Sequence, residues 1–210
     1  MSSFKLGTQF PTVTKYLLFL HPKLKTMEIK ITTKKILQVL HVLSWIVFIG
    51  LCVEAGGIIF NMMYTLFFNP IGAQHFWKQI DFSSLYHHDK GFFITAVVLM
   101  SIVAVLEALL FYLIVKILGN KNFDLSQPFN IEMKNFIANL SYLAIGIGLF
   151  SYWGTSNTKW LQTKGISMPD IQHLGYGGAD VWIFMGVTLF VIAQIFKRGV
   201  EIQSENDLTI

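Results

Sequence analysis

The chain has 210 residues, of which 53% are hydrophobic and 13% charged, whereas an ordinary soluble domain carries about 25% charged residues. Its net charge of +4 comes from lysines that flank apolar runs; they form no basic patch with interleaved aromatics, which argues against direct nucleic-acid binding. Cys52 is the single cysteine and sits inside an apolar run, which excludes an internal disulfide, a CxxC redox pair and a thiolate metal cluster.

Residues 1–35 form a basic segment with seven lysines and one acid. Its apolar patch, Tyr16 to Leu20, is too short to span a bilayer and lacks the small-residue cleavage site of a signal peptide. Met27 opens a lysine-rich stretch just before the first long apolar run, so residues 1–26 read either as an over-long start or as a native extension. The first predicted span, 36–68, contains Glu54 and is ended by Asn69 and Pro70. The second, 91–118, contains Glu107 and stops at Gly119-Asn120. The third, 135–153, is the most polar. The fourth, 181–196, is short and meets Lys197 and Arg198 at once, so it crosses only if residues 175–180 contribute or the lysine snorkels. The expected fold is an all-α polytopic membrane protein, with four transmembrane helices bundled over 36–198, the lipid bilayer as its solvent, and a tail at 199–210.

Lysine and arginine number seven before the first span, two, three and two in the successive connections, and two in the tail. The positive-inside rule then places both termini in the cytoplasm. The two outer connections, 69–90 and 154–180, carry Phe76, Trp77, Phe82, Tyr86, Trp160 and Tyr176, residue types that favour the headgroup zone. Phe76, Trp77, Ile80 and Ser84 or Leu85 recur at helical spacing and predict a short helix lying flat on the outer surface.

An acid inside a span needs a hydrogen-bond partner, a counter-charge or a proton. Gly50, Gly57 and Asn61 share the Glu54 face, and that stripe is expected to face protein. Glu107 has no basic residue within reach on its own helix; Asn139, Gln194 and His41 are the partners the other spans offer. Either glutamate serves as an ion or proton site or as a protonated residue that orients the bundle. Asn135, Asn139, Tyr142, Gly146 and Trp153 mark one face of the third span, which predicts that this face points inward to interhelical hydrogen bonds.

His75, His87, His88 and His173 gather in the outer connections, where imidazole and carboxylate can assemble a metal site. None has the HExxH spacing of a helical zinc site, so no metal is expected. His41 is the one histidine near a span, too little for bis-histidine haem, and the glycine-rich stretches lack the strand and helix context of a phosphate loop. No cofactor and no catalytic residue is expected.

The chain closes on IFKRGVEIQSENDLTI, Ile195 to Ile210, in which charges alternate in sign. Lys197, Arg198, Glu201, Glu205, Asp207 and Leu208 read either as a solvated helix end or as a docking peptide. This ending, joined to four spans, resembles the bacterial membrane proteins grouped as domain of unknown function 2975. The resemblance implies a bacterial cytoplasmic (inner) membrane protein with a small helix-turn-helix regulator as partner, and assigns no catalytic residue. The expectation is a non-enzymatic regulatory or tethering protein acting through its tail. The alternative is a small proton- or ion-coupled transporter using Glu54 and Glu107, as a homo-oligomer because four spans enclose little space.

Overall fold

The computed structural model describes residues 33–120 and 129–207. The basic segment before Thr33, with its two readings for residues 1–26, lies outside them, as do Leu208 and the middle of the connection after Gly119. The described part is all-helical: α1 (Thr33–Phe67), α2 (Ser83–His88), α3 (Lys90–Gly119), α4 (Ile131–Thr163) and α5 (Ala179–Asp207). Four of these, α1, α3, α4 and α5, are long and apolar enough to cross a membrane. At about 1.5 Å per residue α1 is roughly 52 Å long, well beyond the roughly 30 Å of a hydrocarbon core.

Local chemistry sets the helix ends. Asn69 follows α1 and accepts the Ile71 N–H at 3.0 Å, which opens a 3-10 turn at Pro70–Ala73 where proline has no donor to lose. Asp89 caps α3 by accepting the N–H groups of Gly91 and Phe92 at 2.5 and 3.2 Å, satisfying donors that a helix start leaves orphaned. Asn130 does the same for α4 through Met133 N–H at 2.7 Å. Gly165, at φ +79°, closes α4 while Ile166 N–H reaches back to the Leu161 carbonyl at 3.3 Å, a left-handed stop suited to glycine. Helix α4 thus runs ten residues past the predicted end at 153, because nothing before Gly165 breaks it.

From α2 onward, helices that follow one another in the chain pack against one another. Helices α4 and α5 make the closest pair. Ser141 donates its hydroxyl to the Gly186 carbonyl at 2.8 Å, and a Cβ on Gly186 would lie 2.8 Å from Ile145 N, one on Gly148 2.9 Å from Ala179 O. Small residues let the two backbones approach, as in other membrane helix pairs. The buried stripe of α4 is therefore Ile137, Ser141, Ala144, Ile147, Gly148, Ser151, Gly154, Thr158 and Leu161, not the polar face expected from sequence. Tyr142 and Trp153 are 60% and 58% exposed, and Asn135 and Asn139 are exposed as well. A large polar side chain would hold the helices apart, so packing selects the small residues for the interior.

Helix α1 makes no close backbone approach to another described helix. In the half of the bundle that carries the aromatic connections, those connections fill the gap. Phe76, Phe82 and Tyr86 pack edge-to-face around Phe93 of α3, with centroids 5.3 to 6.0 Å apart, an arrangement worth about 0.5–1.5 kcal/mol per pair beyond the area buried. The expected surface-lying helix is absent. Phe76, Phe82 and Leu85 are at most 1% exposed, and Phe76–Leu85 forms a turn and the first residues of α2 folded against α3. Three adjacent aromatics gain more from Phe93 than from headgroups.

The second connection is fixed by Tyr176. Its hydroxyl donates to the Ala96 carbonyl of α3 at 2.7 Å, and its ring occupies the place a Cβ on Gly154 of α4 would take, 2.5 Å from the ring atoms. Burial pushes the phenol above the ordinary tyrosine range.

Gly186→Ala and Gly148→Ala are expected to destabilise the detergent-solubilised protein by about 1–3 kcal/mol each through overpacking. Gly146→Ala, whose Cβ would meet only Leu106 at 3.5 Å, and Gly50→Ala, which meets nothing within 4 Å, should be neutral or gain up to about 1 kcal/mol of helix propensity; thermal unfolding followed by circular dichroism separates the two groups. Tyr176→Phe should cost about 1 kcal/mol near neutral pH. A raised folded pKa means that the stabilisation is full below the ordinary tyrosine pKa of about 10 and is lost as pH rises above it, because the unfolded chain then ionises first. Denaturation midpoints of wild type and Tyr176→Phe should accordingly converge above about pH 10.

Candidate functional site

Glu54 sits midway along α1 on the side that meets the first outer connection. One turn further, Gly57 leaves room for the Trp77 indole; a Cβ there would fall on the ring itself. Asn61 hydrogen-bonds back to the Gly57 carbonyl at 2.8 Å. Gly50 meets nothing within 4 Å, so the expected protein-facing stripe is only partly realised. The partner of this face is a connection that descends no deeper than Glu54, and below it no helix lies against Gly50.

The connection delivers a lysine. Lys78 and Gln79 have φ values of 55° and 61°, a left-handed conformation that costs non-glycine residues about 1–2 kcal/mol each. A bridge between Phe76 and Ile80, with Phe76 N–H to Ile80 O at 3.0 Å, closes the turn around them, and the buried Phe76 and Ile80 on either side hold it. Its product is an ion pair between Lys78 and Glu54. The lysine side chain is 57% exposed and the glutamate 34%, so the ammonium is a plug with one face outward.

Glu54 and Glu107 line one cavity, together with Lys78, Trp77 and His173. Its volume is about 30 Å³, room for about two water molecules and far below the roughly 300–1,000 Å³ of an organic ligand site. Protons, water and small cations are the species it can hold. Two carboxyl groups face one ammonium, and a carboxylate in a water-poor space requires a counter-charge or a proton. Lys78 serves Glu54, which leaves Glu107 as the group to be neutralised by a proton or a cation. Trp77 Nε1, buried and without a partner among the described residues, is a donor on the residue that closes this space.

None of the three sequence-expected partners serves Glu107. Asn139 opens onto a different groove. Gln194 is exposed on α5. His41 packs against Gly119, where a Cβ would meet its ring at 3.0 Å, and accepts the Trp45 indole N–H at 3.1 Å. Lys78 was read only as a topology charge. The signal that singles it out is a lysine set between Trp77 and Ile80 in an aromatic-rich connection, opposite a span that contains an unpaired acid.

The outer histidines are not brought together. His87 lies edge-on to Tyr86 and His88 stacks on Phe92, while His173 reaches the glutamate cavity from the second connection. Asp81 accepts the Ser83 N–H at 2.8 Å, and hydrogen bonds from the Ser83 hydroxyl and N–H hold its carboxyl below the usual range, with a smaller contribution from His75. Among the described residues no three of histidine, cysteine, aspartate and glutamate cluster as metal ligands.

The tail is a continuation of α5. Lys197, Arg198, Glu201 and Glu205 all lie on this unbroken helix, whose last residue is Asp207. Arg198 pairs with Glu201 one turn on at 3.1 Å. Phe129, just before α4, sits on Gly199 and against Phe196 at 5.4 Å between centroids, so the connection and the root of the tail are in contact.

A family model described as Protein of unknown function (DUF2975) matches residues 77–210. No curated protein and no solved structure matches the chain. The matched region takes in Lys78, Glu107, helices α2 to α5 and the tail, while Glu54 and residues 69–76 of the first connection precede it. Covering well over half of a chain whose described residues include four membrane-length helices, this match shows that the protein belongs to the DUF2975 family of proteins of unknown function.

Proposed function

We propose that the protein is a non-enzymatic regulator or tether of the bacterial inner membrane, with both termini in the cytoplasm, acting on a cytoplasmic partner through its tail. The observation that carries this reading is the continuity of α5 from Ala179, packed on Gly148, to Asp207. A helix without a break transmits a tilt or rotation at the α4–α5 contact directly to Lys197, Arg198, Glu201 and Glu205. The Phe129–Gly199 contact gives that motion a second point of leverage at the connection after α3. The resemblance noted from the tail favours a small helix-turn-helix regulator as the partner. A stimulus moves such a device only by binding its two states with different affinity.

A second reading has its own support in the convergence of Glu54 and Glu107 on one water-sized cavity. In that reading the protein is a small proton- or ion-coupled transporter, assembled as a homo-oligomer, with Lys78 as an internal cation that competes with the transported one.

A crosslinking pull-down from native membranes, comparing the intact chain with one truncated after Arg198, tests the first reading; a DNA-binding protein recovered only with the intact tail is the expected result, and identical recoveries overturn it. Proteoliposome flux with Glu54→Gln and Glu107→Gln addresses the second. A transporter should lose at least about tenfold in flux, the effect of about 1.4 kcal/mol on the barrier, with either change while the helix content stays intact. Under the tether reading, tail-dependent recovery should persist in both variants.

A further inference from the structure

A second concavity lies at the opposite end of α3 and α4 from the aromatic connections. It is a groove of about 390 Å³ lined by Leu113, Lys116 and Ile117 of α3, Asn120 at its foot, and Glu132, Asn135, Phe136 and Asn139 of α4. Its size falls within the range of ligand sites. Its composition is unusual for a membrane span. Lys116, Glu132, Asn135 and Asn139 are all exposed, while Leu113, Ile117 and Phe136 are half-buried and form an apolar floor.

Two features of this groove are at odds with a surface left to lipid tails alone. The first is a pair of opposite charges on facing helices that do not meet. Among the described residues Lys116 forms no ion pair within 4.0 Å, and Glu132 takes only the Asn120 amide, at 3.3 Å on Oε2. The second is depth. Counting 1.5 Å per residue along α4 from Glu132, Asn135 lies about 4.5 Å and Asn139 about 10 Å further toward the middle of the span. Exposed amides at that level need partners, because hydrocarbon offers none.

We propose that this groove binds the headgroup and glycerol region of a zwitterionic aminophospholipid. The ligand matches the lining group by group and in order of depth. A primary ammonium carries three N–H donors for the Glu132 carboxylate. A phosphate beside it meets the Lys116 ammonium. Ester carbonyls below the phosphate accept from the Asn135 and Asn139 amides, and the chains continue over Leu113, Ile117 and Phe136. An anionic headgroup without an amine would leave Glu132 facing negative charge. A quaternary amine has no N–H to donate to it. The site therefore distinguishes phosphatidylethanolamine from both. This inference is independent of either functional reading.

The test uses the full-length protein in detergent, titrated with phosphatidylethanolamine, phosphatidylcholine and phosphatidylglycerol of identical chains, with bound lipid counted by native mass spectrometry. Phosphatidylethanolamine should bind about tenfold more tightly than the other two, the value of one well-made charge-assisted hydrogen bond set. Glu132→Gln should erase the difference between phosphatidylethanolamine and phosphatidylcholine. Lys116→Gln should weaken both by a similar factor, since both carry the phosphate. Both positions are exposed, and circular dichroism checks that the variants keep their helices. Equal binding of ethanolamine and choline lipids by the wild type overturns the proposal. So does tightest binding of phosphatidylglycerol, or a preference for ethanolamine that survives Glu132→Gln.

Discussion

The structure depends on two aromatic-anchored connections being drawn into the bundle. Phe76 and Phe82 lock the first onto Phe93, and Tyr176 locks the second between Ala96 and Gly154. With those anchors seated, the residues beside them have no freedom to lie elsewhere. Trp77 is pressed onto Gly57, Lys78 is held in a left-handed turn against Glu54, and His173 is brought to the same cavity. The gap between α1 and α3 is a consequence of this filling, since helices in direct contact would leave the connection no place.

This organisation divides the molecule into parts with different mechanical character. The α4–α5 pair is tight, made by glycine and serine backbone contacts and a buried hydroxyl hydrogen bond. Helix α1 is looser, held by side chains from one connection and from α3, with large apolar residues such as Phe60 and Val53 exposed to its surroundings at 69% and 58%. Rearrangement is easiest where side chains alone make the contact, so the Glu54–Lys78 junction between α1 and the first connection is the place where a change in protonation or ion occupancy has the least packing to overcome. The tail belongs to the rigid part. Two routes join the glutamate cavity to the rigid part: His173 in the second connection, which runs into α5, and the α3–α4 contact, which includes Leu106, next in the chain to Glu107, against Gly146.

The two polar regions have distinct chemistries. The cavity between the glutamates is water-sized and opens outward past Lys78, and its charge balance is one carboxyl in excess. The groove at the far end of α3 and α4 is open, larger and balanced, with a lysine and a glutamate kept apart. One suits a proton or small cation and the other an amphipathic zwitterion, and the span of α3 between Glu107 and Lys116 connects them.

Sequence by itself determined the membrane-spanning helices, because a run of apolar residues long enough to cross a bilayer has one stable conformation in lipid whatever surrounds it. It also determined the stops at Asn69-Pro70 and Gly119, the two intramembrane acids and the family, which the tail motif carries. It did not determine which face of α4 is inside. Asn139 and Tyr142 look like interior hydrogen-bonding residues by periodicity, yet Ser141 and Gly148 occupy the interior because only small side chains permit the close approach of α5 at Gly186 and Ala179. Nor did it pair Glu107 with Glu54 and Lys78. Those three residues are far apart in the chain, and their meeting rests on where Phe76, Phe82 and Tyr176 seat the connections, a packing outcome that only the tertiary structure decided.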